Sequence, residues 1–127
     1  LSHVPNGLPA LLRTHRLSER AANVGFDWTG RGEVWEKVLE EVEELKCAVS
    51  NDNEQMVMEE MGDLFFSLVN LSRHWDMNAE DLLRTANRKF LNRFEQMETH
   101  LNQSGVSLEK ATAEQMNGAW EAVKRQA

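Results

Sequence analysis

Two groups of acidic residues, Glu40-Glu41-Val42-Glu43-Glu44 and Glu59-Glu60-Met61-Gly62-Asp63, suggest metal chemistry. Between residues 40 and 63 there are nine Asp or Glu residues and one basic residue, Lys46. Like charges at this density repel one another unless protons or a cation neutralise them. A divalent metal ion held between the two groups is the natural candidate for that cation.

Helical periodicity predicts where these carboxylates point. In the first acidic segment, apolar residues recur three or four positions apart, which predicts a core-facing stripe of Trp35, Val38, Val42, Leu45 and Val49. Glu41 and Glu44 then lie side by side on one flank of that stripe. The second segment is apolar around most of its circumference, so we expect that helix to be largely buried.

The second helix keeps one narrow polar stripe, formed by Glu60, Asp63, Ser67, Asn70 and His74. If the two helices pair antiparallel, the carboxylates of Glu41, Glu44, Glu60 and Asp63 converge. Oxygen ligands without cysteine or clustered histidine select Mg²⁺ or Mn²⁺. Glutamates on helices are more often solvated, and we assign Glu40 and Glu43 to a solvated face. Spacing alone leaves both interpretations open for the other four.

Composition narrows the class of protein. The chain has 127 residues, enough for one domain over residues 1–127, and its net charge of −7 argues against nucleic-acid or anionic-membrane partners. One cysteine, Cys47, excludes an intrachain disulfide, and no apolar run is long enough to span a bilayer. We therefore predict a cytoplasmic protein. The first residue is Leu1 rather than Met, so we expect a piece of a longer protein.

The elements that position the acidic groups are predicted to be helical throughout, because Gly and Pro are confined to the ends and connections. A first helix follows Pro9 and ends before Gly25. The acidic helices run from 33 to 50 and from 53 to 75, with Asp52 as the N-cap of the second. Asn78 opens a long helix to Gln103, whose predicted stripe is Leu83, Ala86, Phe90, Phe94, Met97 and Leu101. A last helix starts near Thr112, where Gln115 completes a capping box.

Basic and aromatic residues outside the acidic segments are candidates for contacts to a ligand. Lys89 and Arg93 border the apolar stripe of the long helix, where they either point toward the carboxylates and bind phosphate or pair at the surface with Glu59 or Glu98. Asn87, on the other flank, is a weaker candidate. Trp28, with Phe26 in a glycine-bounded loop, is either a stacking platform or a hydrophobic plug, and Trp120 is ambiguous in the same way.

The acidic pattern resembles that of the MazG-like, all-α nucleoside triphosphate pyrophosphohydrolases. Further matching segments extend the resemblance over nearly the whole chain: Asn23-Val24-Gly25-Phe26-Asp27-Trp28, Ala86-Asn87-Arg88-Lys89-Phe90 with Arg93-Phe94, and Trp120 with Val123-Lys124-Arg125. They look like the C-terminal domain of a two-domain protein. The resemblance implies a four-helix-bundle-type core in an intertwined homodimer or homotetramer.

The resemblance also implies an activity: Mg²⁺-dependent cleavage of nucleoside triphosphates to the monophosphate and pyrophosphate, with broad tolerance for ribo- and deoxynucleotides. Glu41, Glu44, Glu60 and Asp63 would bind the metal, and Glu41 or Glu44 would orient the attacking water. By the same resemblance, Lys37, Lys89 and Arg93 would contact phosphates, and Trp120 would hold the nucleotide.

Other classes of protein fit less well. A di-iron carboxylate bundle needs Glu-x-x-His, and no histidine in this sequence follows a Glu at that spacing. An EF-hand fails because the loop at residues 51–53 lacks the glycine and the series of ligands. The remaining alternative is a non-catalytic helical oligomerisation or interaction module whose acidic groove binds a basic partner.

Overall fold

The computed structural model describes residues 1–126, and every regular element in that range is helical. The predicted all-α class is confirmed. In chain order the elements are α1 (Ala10–Asn23), α2 (Arg31–Ser50), α3 (Glu54–His74), α4 (Ala79–Gln103), a 3-10 helix (Leu108–Lys110) and α5 (Ala113–Gln126). None of these helices is long and apolar enough to cross a membrane.

The chain divides into two compact units, Leu1–Leu82 and the residues from Leu83 onward. Each unit is described by itself below. The assignment of residues 1–127 to one domain therefore stays a prediction.

Side-chain caps explain where α4 and α5 begin. Before α5, Gln115 Oε1 accepts the Thr112 N–H at 2.9 Å, and Thr112 Oγ1 accepts the Gln115 N–H at 3.1 Å. This reciprocal pair is the predicted capping box. Before α4, Asn78 Oδ1 accepts the Glu80 N–H at 2.9 Å, as expected for an asparagine that opens a helix.

The predicted N-cap of α3, Asp52, is wrong by one residue. Asn53 Oδ1 accepts the Met56 N–H at 3.2 Å, while Asp52 has a φ of 51°. The chain leaves α2 through a residue in the left-handed region, which Asp adopts at lower cost than most residues. The capping position therefore moves to the asparagine that follows.

In the first unit, α2 and α3 form an antiparallel hairpin. Only residues 51–53 join the two helices, and so short a connection makes them antiparallel neighbours. Arg31 Nε donates a hydrogen bond to the His74 carbonyl at 3.0 Å, which ties the start of α2 to the end of α3. Helix α1 packs against α3. The two acidic segments therefore face each other across the hairpin.

The buried face of α2 differs from the predicted stripe. Val34, Val38 and Ala48 are buried together with Glu41. Trp35 and Val49, which were predicted to face the core, are 52% and 57% exposed. Both faces have apolar residues at helical spacing, so periodicity alone did not distinguish them. The flank that carries Glu41 is the one turned toward α3.

The prediction that α3 is largely buried is wrong for the single chain. Its buried residues are Ser67, Val69 and Asn70. Within the first unit α1 and α2 pack on α3, and they cover its polar stripe rather than most of its apolar surface. Several of its large apolar residues are consequently exposed: Met58, Met61, Phe65, Phe66 and Leu68.

The second unit has its own small core. Met97 and Leu101 of α4 pack against Ala119 and Val123 of α5, with Phe94 and Trp120 partly buried around them. This confirms the C-terminal half of the stripe predicted for α4. The N-terminal half of that stripe is exposed at Leu83, Ala86 and Phe90. Helix α5 is 14 residues long and α4 is 25, so α5 covers only part of α4.

Candidate functional site

The α2–α3 hairpin brings three of the predicted metal ligands together. One carboxylate oxygen from each of Glu41, Glu60 and Asp63 lies within 4.8 Å of the other two. Mg²⁺ binds oxygen at about 2.0–2.1 Å, so two oxygens on opposite sides of one ion are about 4.2 Å apart. Two oxygens on adjacent sides of an octahedral ion are only about 3 Å apart, and at least two of the three pairs are of that kind, so the side chains must draw together before they share one ion.

Two buried oxygens in this acidic cluster show that a cation fits. Glu41 is 4% exposed. Among residues 1–126, Glu41 Oε2 and Glu60 Oε2 have no hydrogen-bond partner although both atoms are buried. A buried polar atom without a partner costs about 1–3 kcal/mol, and more when it is charged. An oxygen-seeking divalent cation such as Mg²⁺ would satisfy both atoms, so the residues present fit that metal.

The neighbouring carboxylates change the acidity of Glu60. Hydrogen bonding to the Glu44 carboxylate is the main cause that raises the pKa of Glu60 to about 7, and burial and Glu41 raise it further. Glu44 thus lies beside Glu60, but it is exposed and is not one of the three residues whose oxygens cluster. At neutral pH the metal-free cluster retains part of a proton that a bound cation would displace.

In the first unit, Lys37 lies against this cluster. Lys37 Nζ lies 2.9 Å from Glu41 Oε1 and 3.5 Å from Glu40 Oε1. The hydrogen bond to Glu41 is the main reason that the pKa of Lys37 is raised. Lys37 therefore offsets part of the negative charge of Glu41, and its predicted contact with phosphate stays a prediction.

Three further substrate-binding candidates lie on α4 in the second unit. Lys89 and Asn87 are exposed on α4, and Arg93 is half-buried. Within their own unit, in the part of the chain that is described, neither Lys89 nor Arg93 forms an ion pair with Glu98. The alternative pairing with Glu98 is therefore not formed, and contact of either cation with phosphate stays a prediction.

Trp120 is partly buried against the core of the second unit. Its ring centroid is 5.6 Å from that of Phe90, at an interplanar angle of 47°. Together with Phe94, Met97, Met116 and Asn117 the two rings line an apolar depression. Trp120 therefore has both a packing role and an open face, and its contact with a nucleotide stays a prediction.

Trp28, the remaining candidate, lines a cavity of about 270 Å³ in the first unit. Sequence reasoning missed the ion-pair network beside it. Asp27 accepts hydrogen bonds from Arg73 at 2.7 and 3.0 Å, and its Oδ1 lies 2.9 Å from His74 Nε2. The available signals were an acidic residue in a glycine-bounded loop and the first basic residue of α3.

Comparison with known proteins agrees with this geometry. The family described as "MazG nucleotide pyrophosphohydrolase domain" matches residues 32–97, which include the whole acidic cluster. The chain belongs to the MazG family.

Two relatives extend the similarity beyond that segment. The chain is 41% identical over 128 residues to the "Nucleoside triphosphate pyrophosphohydrolase" of Escherichia coli (strain K12), covering 99% of this chain and 49% of that protein. It is 43% identical over 117 residues to the "Nucleoside triphosphate pyrophosphohydrolase/pyrophosphatase MazG" of Thermotoga maritima, covering 92% of this chain and 45% of that protein. The chain thus spans about half the length of these relatives.

Proposed function

We propose that this chain is a Mg²⁺-dependent nucleoside triphosphate pyrophosphohydrolase, which converts a nucleoside triphosphate and water into the monophosphate and pyrophosphate. The observation that carries the proposal is the convergence of Glu41, Glu60 and Asp63 with two buried oxygens that lack partners. The names of the E. coli and T. maritima relatives support the reaction. Mn²⁺ is the expected substitute for Mg²⁺.

The site residues have separate roles in the proposed reaction. Glu41, Glu44, Glu60 and Asp63 hold the metal, which supplies charge neutralisation at the phosphates when bound. Glu41 or Glu44 accepts a hydrogen bond from the attacking water and orients it. Phosphoryl transfer needs positioning and electrostatic stabilisation more than covalent help from the protein. Side chains assigned to the substrate supply these: Lys37, Lys89 and Arg93 at the phosphates, and Trp28, Asn87 and Trp120 at the nucleoside.

Turnover tests the proposal directly. Incubation with mixed ribo- and deoxynucleoside triphosphates and Mg²⁺ should yield monophosphates and pyrophosphate, and Glu60→Gln should abolish that yield. Glu43→Gln is the matched control, since Glu43 is exposed and pairs with the exposed Lys46 on the helix surface. Release of a nucleoside diphosphate and orthophosphate would contradict cleavage between the α- and β-phosphates. No turnover at all would favour the non-catalytic interaction module.

The same proposal includes a homodimer or homotetramer. Helix α3 exposes several large apolar residues, and α2 exposes Trp35 and Leu39; such side chains are solvated poorly by water. A second copy of the chain would bury these residues and restore the predicted burial of α3. Sedimentation at micromolar concentration tests this, and a monomeric mass would contradict it. The cytoplasmic location and the absence of nucleic-acid and membrane partners remain predictions.

A further inference from the structure

The cavity in the first unit has the lining of a site for a planar ring. Phe26, Trp28 and Phe66 contribute aromatic walls, and Asp27, Asn70 and Arg73 contribute polar groups. Small-molecule sites typically combine apolar, aromatic walls with a few polar groups. The volume of about 270 Å³ lies just below the roughly 300 Å³ at which drug-sized pockets begin, so the cavity suits one ring system rather than a whole nucleotide.

Its position on α3 relates this cavity to the metal ligands. Glu60, Asp63, Ser67 and Asn70 follow one another at spacings of three and four along one face of the helix. Asn70 is 1% exposed and comes seven residues after Asp63, a rise of about 10.5 Å. Ser67 and Asn70 are buried. The ring of a ligand with phosphates at Asp63 would therefore reach the cavity past Phe66, which follows Asp63 by three residues, lines the cavity and is 43% exposed. A nucleoside triphosphate joins such parts through its ribose.

Asp27 restrains the loop that contains Phe26 and Trp28, two of the aromatic residues that line the cavity. Its carboxylate accepts two hydrogen bonds from the Arg73 guanidinium and one from the backbone N–H of Trp28, the last at 2.8 Å. Bidentate pairs of this kind fix orientation as well as distance. The loop needs such a restraint because it follows Gly25, whose φ of 92° few other residues adopt. The oxygens of Asp27 are engaged by these partners and by His74, so Asp27 is not free to bind a ligand.

We propose that this cavity receives the nucleobase of the substrate, and that Asp27 is a positioning residue that holds the rings of Phe26 and Trp28 in place through Arg73. The inference rests on the proposed nucleoside triphosphate substrate. Stacking on aromatic side chains accepts every base, since each base has a π-face. A stacking pocket would therefore accept different bases, as the proposed tolerance for ribo- and deoxynucleotides requires.

A substrate without a base tests the pocket. The measured quantity is the ratio of kcat/KM for a nucleoside triphosphate to kcat/KM for methyl triphosphate, which keeps the phosphate chain alone. Phe26→Ala should lower that ratio by about 10- to 100-fold, mainly through KM, because stacking contributes to binding of the base. Phe26 is 81% exposed, so its removal is not expected to unfold the chain. Val24→Ala is the matched control: Val24 is 84% exposed in the same segment and does not line the cavity.

A second experiment tests the positioning role of Asp27. Asp27→Asn and Arg73→Lys each remove the bidentate pair, and each should lower the same ratio, with the double variant no lower than the worse single one. An unchanged ratio in Phe26→Ala would overturn the base pocket, and an unchanged ratio in both pair variants would overturn the positioning role. If wild type hydrolyses both substrates equally well, the base pocket fails while the proposed function stands. If it hydrolyses neither, both fail.

Discussion

Lys37 and Glu41, one helical turn apart on α2, form an ion pair inside the acidic cluster, with 2.9 Å between Nζ and Oε1. The Lys37 side chain is 33% exposed and that of Glu41 is 5% exposed. The pair therefore brings a buried carboxylate and a partly solvated cation together. Because water screens this pair poorly on the Glu41 side, it stabilises the fold more than a surface pair does.

Removal of this cation should destabilise the metal-free protein. We expect Lys37→Met to lower the free energy of unfolding by about 1–3 kcal/mol at pH 7, because Glu41 loses its charged partner. Saturating Mg²⁺ should recover much of the loss, since the metal supplies positive charge at the same carboxylate. Urea denaturation with and without Mg²⁺ measures both effects.

Lys46→Met is the control: Lys46 and Glu43 are both exposed, and such pairs contribute about 0–1 kcal/mol. Equal losses in the two variants would contradict the prediction.

Metal binding should stabilise the wild-type fold. A ligand at about 100 times its Kd adds about 2.7 kcal/mol, which for a domain of this size raises Tm by several degrees. Glu60→Gln or Asp63→Asn should abolish that rise, and should leave the metal-free protein as stable as wild type or more stable, because one repelling charge has gone. Thermal scans with Mg²⁺, Mn²⁺ and chelator test this, with Glu43→Gln as the control that retains the shift. An unchanged wild-type Tm in both metals would rule out the site.

The affinity for Mg²⁺ should depend on pH around the raised pKa of Glu60, about 7. A protonated carboxyl does not bind the metal, so affinity should rise as pH increases toward 7 and level off above it. The metal-free fold should show the opposite trend: because the folded-state pKa lies above the unfolded value, stability falls as pH rises from about 4.5 through 7. Calorimetric titration in two buffers of different ionisation enthalpy detects the released proton. No proton release at pH 6.5, or release retained in Glu60→Gln, would contradict this assignment.

The acidic cluster could be predicted from sequence because its residues obey a local rule. Glu60 and Asp63 are three positions apart on a helix whose other residues are mostly apolar, and that spacing fixes a shared face whatever the tertiary structure. The proximity of Glu41 to these two residues could then be predicted from the short connection between α2 and α3, which makes the helices antiparallel neighbours. The burial of Glu41 could not be predicted from the sequence. An apolar stripe through Trp35 and another through Val34 both fit the helical period, and only the second places Glu41 on the buried face.

No local rule of this kind predicts the hydrogen-bond network around Asp27. Arg73 is 46 residues away in the chain, and Asp27 belongs to an irregular loop without a period. Contacts of this kind depend on how a loop crosses the end of a distant helix, which local spacing does not determine. The exposure of Phe65 and Leu68 on α3 was missed for a related reason: hydrophobicity predicts that a surface needs covering, and does not say which chain covers it.

The phosphate contacts assigned to the second unit are tested by charge removal. Lys89→Ala or Arg93→Ala should lower kcat/KM by roughly 10- to 1000-fold, since a charged hydrogen bond is worth about 1.5–3 kcal/mol and more in the transition state. The helical circular dichroism should not change. Arg88→Ala is the matched control on the same helix, because Arg88 is exposed and bonds to Thr85 through Nη2 at 3.3 Å. Wild-type turnover in either variant would exclude that residue from the role.

The last prediction concerns the stability that Asp27 provides. The hydrogen bonds from Arg73, followed by those from His74 and the Trp28 backbone, hold the pKa of Asp27 well below its ordinary value of 3.8. A carboxyl whose folded-state pKa is depressed stabilises the fold above its unfolded pKa, and that contribution is lost as pH falls below it. Asp27→Asn should therefore lower the free energy of unfolding by about 1.5–3 kcal/mol at pH 7, and the difference from wild type should shrink as pH falls from about 4 toward 2. Glu33→Gln is the comparison, because Glu33 has a pKa lowered by hydrogen bonds with the backbone and side chain of Thr29 but is exposed. Urea denaturation at a series of pH values measures both variants. A difference between wild type and Asp27→Asn that stays constant from pH 7 to pH 2 would show that the carboxylate charge is not what Arg73 recognises.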